Sequence, residues 1–135
     1  MMNVEFEMEY IYPDDLRGLV LDVQLNGNAS VRFPATVDTG AAHCLFQSDY
    51  ADLLGLTLTD GIPLRFSAAG GGAIEAYGHE VTVTVLGRTG SAFVYFTAHY
   101  GFSRNVLGRK GWLDRFKLGI EHYRSKLYLG NLDHH

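Results

Sequence analysis

The feature that most constrains this chain is an alternation of apolar and polar residues at period two, repeated in short runs and cut by turn formers. Val4, Phe6, Met8 and Tyr10 alternate with Glu5, Glu7 and Glu9, the pattern of a strand with one buried face and one wet face. Pro13 breaks that run. Leu19 to Leu25 alternates again, Asn26-Gly27 supplies residues that tolerate positive φ in a tight hairpin, and Val31 to Val37 reads as the return strand. Leu64 to Ser67 and Ile74 to Tyr77 flank Ala68-Ala69-Gly70-Gly71-Gly72, two strands joined by a flexible tip. Val81, Val83 and Val85 alternate with threonines, residues 86–90 turn the chain, and Ala92 to Thr97 forms a further strand. Phe116 to Ile120 and Lys126 to Leu129 read as a closing hairpin. Helix signals are few: Ser48 stands where it can cap a short helix that Gly55 ends, and Trp112 to Phe116 is the other candidate. Many short strands and almost no helix imply one all-β domain over residues 1–135.

Composition narrows the function classes. With 135 residues, 47% apolar and 19% charged, the chain can bury a single core. A formal charge of -4 and a pI near 5.8 argue against nucleic acid, whose phosphates require a concentrated basic surface. The start is acidic (Glu5, Glu7, Glu9) and the end basic (Arg124, Lys126). These are either solvated strand faces or two chain ends that pair in a sheet. Cys44 is the only cysteine, so no internal disulfide forms and a reducing cytoplasm suits the chain. No apolar run approaches membrane-spanning length, so neither a membrane nor a nucleic-acid partner is expected.

Most catalytic sets can be set aside. The histidines lack metal-ligand spacing, cysteines are not paired, and no Gly-x-Ser-x-Gly elbow occurs. Gly70-Gly71-Gly72 lacks the Lys-Ser/Thr that follows in a phosphate loop, and Cys44 sits in an apolar stretch where a buried, inert thiol is the default. What remains is Ala35-Thr36-Val37-Asp38-Thr39-Gly40-Ala41. A carboxylate directly after an apolar strand needs a reason, because an unpaired charge on the core side of such a loop is penalised.

The order of three motifs supplies one. An apolar strand into Asp38-Thr39-Gly40-Ala41, a glycine-rich tip at residues 68–72, and Asn105-Val106-Leu107-Gly108-Arg109 resemble the retropepsins, the retroviral-type aspartic peptidases. The resemblance covers roughly Leu19 to Phe116. It implies a single-lobe, closed β-barrel of the acid-protease kind with one or two short helices, its core at about residues 19–116 and its termini in the sheet of a two-fold homodimer. The implied activity is an aspartic endopeptidase without cofactor or metal, acting on a peptide or protein substrate. Two carboxyl groups held close across the axis cannot both ionise and share one proton. The resemblance assigns Asp38 as the catalytic carboxylate, Thr39 to a hydrogen bond across the axis, and Gly40 to the close approach of backbone to carboxylate and substrate. Ala41, Ala69, Gly70, Gly71 and Val106 would contact substrate, the middle three as the flap, while Gly108 and Arg109 would support the catalytic loop. Ala41 stands where pepsin-like chains carry a hydroxyl donor, which implies a pH optimum from weakly acidic to near neutral.

The chain also departs from the retroviral pattern. Ala42 and His43 follow Ala41 where an aspartate would pair with the signature arginine, so Arg109 needs another acceptor, such as Asp49 or a backbone carbonyl. His43 is either a replacement contact in the cleft or a packing residue. The stretch from Phe116 to Gly130 outlasts a retroviral tail, and the acidic Val4 to Tyr10 and basic Arg124 to Lys126 are candidate sides of the dimer sheet. Two rival readings stay open: a non-catalytic dimer that binds peptides or assembles a complex, and an unrelated β-barrel in which Asp38 caps a turn.

Overall fold

The alternating runs form strands because each offers one apolar edge to a shared core. The computed structural model describes residues 2–13, 15, 17–67, 71–99 and 104–132. Strands β1 (Met8–Ile11), β2 (Val20–Asn26), β3 (Ser30–Val37) and β4 (Leu45–Phe46) precede the helix α1 (Ser48–Leu53). Then come β5 (Ile62–Ser67), β6 (Ala73–Val85), β7 (Arg88–Thr97), β8 (Val106–Leu107), β9 (Lys117–Glu121) and β10 (Lys126–Gly130). The fold is mostly β. Among the described residues α1 is the only α-helix, and Trp112 to Phe116 holds just the 3-10 turn Leu113–Arg115.

Seven strands make one sheet in the order β2-β3-β8-β4-β7-β6-β5, and β2 also pairs with β6 from Val23↔Val85 to Asn26↔Thr82. The sheet therefore curls over a core that includes Leu21, Val23, Leu25, Phe33, Phe46, Val85, Val94, Phe96 and Leu107. The β2–β3 hairpin differs in detail from the expected tight turn, since neither Asn26 nor Gly27 has positive φ. Three residues, Gly27 to Ala29, cross instead, and a Cβ on Gly27 would stand 3.0 Å from the carbonyl oxygen of Leu54. The β6–β7 turn is the two-residue kind, with Leu86 and Gly87 both at positive φ (51° and 76°), which matches the twist of the strands it joins.

The runs at Ile74 to Tyr77 and Val81 to Val85 are one strand, not two. Gly78 passes through without breaking it because the Phe93 and Tyr95 rings fill the space a side chain would take, 2.4 Å from an added Cβ in the case of Phe93. Helix α1 starts after Gln47 and has no side-chain cap. The Ser48 hydroxyl is buried instead and has no hydrogen-bond partner among the described residues, so tertiary packing has overridden the local capping preference. Gly55, at φ 80°, does end the helix.

The chain ends pair with each other within one chain, in a three-stranded sheet of order β1-β10-β9. Tyr10 stands opposite Leu127 and Met8 opposite Leu129, and both leucines are buried in the main core. Across this pair Lys126 Nζ lies 3.7 Å from Glu9 Oε2. The expected strand from Val4 is shorter than its alternation: residues 2–7 stay outside it, although Glu7 N–H donates to the Leu129 carbonyl and Phe6 packs on Tyr128. No helix among the described residues is long and apolar enough to cross a membrane.

Candidate active site

Two residues of β8 organise the site. Val106 and Leu107 pair in parallel with Thr36 and Val37 on one side, and Val106 pairs antiparallel with Leu45 on the other. As the chain leaves β3, the Asp38 N–H donates to the Leu107 carbonyl at 3.0 Å, and the Ala41 N–H closes a turn on the Asp38 carbonyl at 3.2 Å. The next residues run back along the far side of β8: Arg109 N–H donates to Ala41 and Lys110 N–H to Ala42, both at 2.9 Å, and His43 bridges to Lys110. The loop 38–43 is thus pinned at both ends by residues 107–110. Gly108 makes this possible, since a Cβ there would lie 2.2 Å from the His43 carbonyl oxygen.

Within the loop, the Gly40 N–H donates to Asp38 Oδ1 at 2.8 Å. A backbone N–H donated to one carboxylate oxygen fixes the orientation of the side chain. Asp38 is half-buried, while Thr39 and Gly40 are exposed. The carboxylate faces a cavity of about 560 Å³. Residues 40–43 line it from the loop, Leu45, Tyr95 and Val106 from the sheet, and Leu64, Phe66 and Ile74 from the β5–β6 hairpin. Arg104 and Ser67 complete the lining, in which Asp38 is the only carboxylate among the described residues.

The β5–β6 hairpin reaches over this cavity, with Phe66 opposite Ile74 and Leu64 opposite Ala76. Gly71 and Gly72 at its tip adopt φ of 92° and 90°, a conformation that side chains disfavour. The expected flap contacts Ala69 and Gly70 lie outside the described residues.

Two neighbours of Asp38 have shifted acidity. Burial, then the charges of Lys110 and Arg109, push the His43 pKa below its ordinary value, and its ring meets Tyr95 edge-on at 4.8 Å. Burial pushes the Cys44 thiol up to about 11, against a weak donation from Gly108 N–H to Sγ at 3.4 Å. Cys44 is therefore an inert core residue. Arg109 departs from expectation: its side chain is exposed, so water solvates the guanidinium and no acceptor such as Asp49 is needed. A separate cavity of about 640 Å³ against Trp112 and Phe116 lies away from this loop, and its Asp114 carboxylate accepts the Gly111 N–H. No cluster among the described residues could hold a metal ion.

Sequence reasoning did not single out Leu45, Leu64, Phe66, Tyr95 or Arg104 as site residues. The alternation of Leu64 and Phe66 with Arg65 was a usable signal for the hairpin face; the long-range placement of Tyr95 and Arg104 left none.

An Asp-Thr-Gly loop held by a short inner strand beneath a glycine-tipped hairpin places the protein in the retropepsin-like class. The family model for aspartyl protease matches residues 21–110, and the chain belongs to that family. Among solved structures it is similar to one described as a retropepsin-like aspartic protease from Rickettsia conorii. The TM-score is 0.66 at 22% identity, over 90% of this chain and 98% of that one, a likeness of fold. No curated protein matches it.

Proposed function

We propose that the protein is an aspartic endopeptidase in which water is activated between the Asp38 carboxylates of a homodimer. The observation that carries this reading is a half-buried Asp38, oriented by the Gly40 amide, in a cavity with no second carboxylate among its described lining. Peptide hydrolysis by this chemistry needs one carboxylate as base and one as acid, so the second comes from another copy. The ionised Asp38 takes a proton from the trapped water as it attacks the scissile carbonyl. The protonated partner polarises that carbonyl and then gives its proton to the leaving nitrogen.

Thr39, exposed in the single chain, is free to bond across the axis. Ala41 and Val106 line the substrate pocket, and Ala69, Gly70 and Gly71 close over an extended peptide with backbone hydrogen bonds. Gly108 and the Arg109 backbone hold the loop from behind. In this reading the curled sheet is the closed barrel of one lobe, the whole chain is one domain, and the site works without a cofactor. A lone buried cysteine suits the cytoplasm.

The test is cleavage of a diverse peptide mixture from mildly acid to neutral pH by wild type and Asp38→Asn, with pepstatin as a transition-state mimic and sedimentation as the measure of assembly. A wild-type dimer whose cleavage falls by at least ~100-fold in the variant is the expected result. Cleavage that survives in Asp38→Asn overturns the assignment, and a folded dimer that cleaves nothing makes the chain a peptide-binding or assembly module.

A further inference from the structure

We propose that the cleft selects peptides carrying an acidic side chain beside apolar ones, with His43 and Arg104 as the residues that read the acid; this rests on the peptidase reading above. The walls of the cavity explain the apolar part. Leu45, Leu64, Phe66, Ile74 and Val106 supply side chains whose burial by a ligand is favourable in proportion to the area covered.

The charges explain the rest. A cleft centred on Asp38 repels acidic ligands by default, because like charges near one another disfavour the ionised state of both. Here a cation, Arg104, and a hydrogen-bond donor, His43, line the same cavity. Arg104 is exposed, and no ion pair among the described residues neutralises Arg104 or His43. His43 is also held still. Its backbone bridges to Lys110, its carbonyl packs on Gly108, and its ring rests edge-on against Tyr95. It offers an N–H donor in either protonation state and a full cation when charged.

The charges that act most on its ring are both positive. Lys110 and Arg109, both exposed on the neighbouring segment, add positive potential at that end of the loop and are the charges that act on the His43 ring. A carboxylate on the ligand would relieve this repulsion. In an extended peptide, side chains on the same face recur every second residue, about 7 Å apart. An acid one or two positions from the central bond can therefore meet this end while its neighbours fill the apolar walls.

The experiment measures binding separately from turnover. Full-length Asp38→Asn is titrated with fluorescent peptides that are apolar around the central bond and carry Glu, then Gln, at each flanking position in turn. Wild type with reduced-amide versions of the same peptides covers any loss of fold in the variant. At one position Glu is expected to bind about ten-fold more tightly than Gln, as a charge-assisted hydrogen bond would give. That preference should shrink in His43→Gln and in Arg104→Gln and vanish in the double variant. Equal affinity at every position, no binding of either peptide, or a preference that survives the double variant overturns the inference. Cleavage of the unmodified peptides by wild type is scored apart. A Glu preference in binding without cleavage removes the peptidase reading alone, and cleavage with Glu and Gln bound equally removes only the acid selectivity.

Discussion

Gly108 lies so close to His43 that a Cβ on it would stand 2.2 Å from the His43 carbonyl oxygen and 2.9 Å from that of Ala41. Both neighbours are backbone atoms and cannot rotate aside. Gly108→Ala must therefore push the loop 38–43 away from β8, breaking bonds that hold it on either side of Asp38. The expected loss is ~1–3 kcal/mol of stability, the range for overpacking a tight site. Denaturant unfolding checks this, and kcat/KM should fall further than stability does, because the displaced segment carries the carboxylate.

The lowered pKa of His43 sets a direction for stability against pH. Burial first, then Lys110 and Arg109, favour its neutral form in the folded chain. Above the ordinary histidine value the ring is neutral in both folded and unfolded states, and its contribution is fully present. As pH falls below that value the unfolded chain takes up the proton first, so stability is lost until the folded-state pKa is passed. Thermal unfolding from pH 7.5 down to mildly acid conditions should show a larger fall for wild type than for His43→Gln, with parallel curves as the contrary result. The other histidines are common to both proteins and cancel in the comparison.

Cys44 gives a prediction about reactivity. A thiol raised to about 11 is ionised in only about one molecule in ten thousand at neutral pH, and the thiolate is the form that reacts. Native protein should resist alkylation by iodoacetamide at neutral pH, with full labelling in denaturant. Labelling of the native chain at the rate of an exposed thiol would contradict the burial of this segment.

How much of this was legible in the sequence depended on range. The alternation from Leu21 to Leu25 and from Val81 to Val85 reports which side chains turn inward, so these strands could be read directly. Asp38-Thr39-Gly40 was legible because a carboxylate at the end of an apolar strand conflicts with burial and so marks a site. The position of β8 was not legible. Two residues carry no periodicity, and their partners at Thr36, Val37 and Leu45 lie about 60 or 70 positions away in sequence. The runs Ile74 to Tyr77 and Val81 to Val85 read as separate for a related reason: their continuity through Gly78 depends on Phe93 and Tyr95, which come from β7 to occupy its missing side chain. Ser48 had the right type for a cap, yet the packing that buries its hydroxyl is tertiary.

The terminal sheet separates stability from assembly. Leu127 sits on the middle strand, fully buried and opposite Tyr10 on β1 and Ile120 on β9. Leu127→Ala should cost ~2–5 kcal/mol, as large-to-small core changes do. The Lys126 to Glu9 pair on the same strands is far weaker: at 3.7 Å, with the Glu9 side chain 57% exposed, its loss should cost no more than ~1 kcal/mol. Ile11 belongs to neither class. It is 66% exposed on β1, an edge strand whose outer backbone groups have no strand partner among the described residues. An exposed apolar residue on an open edge is a natural contact for a second copy. If the proposed homodimer uses this sheet, Ile11→Asp should leave unfolding of the separated chain within the scatter of surface substitutions while shifting sedimentation towards monomer. Unchanged sedimentation of that variant would place the two-fold contact on another face, and Leu127→Ala would still unfold early because its role lies within one chain.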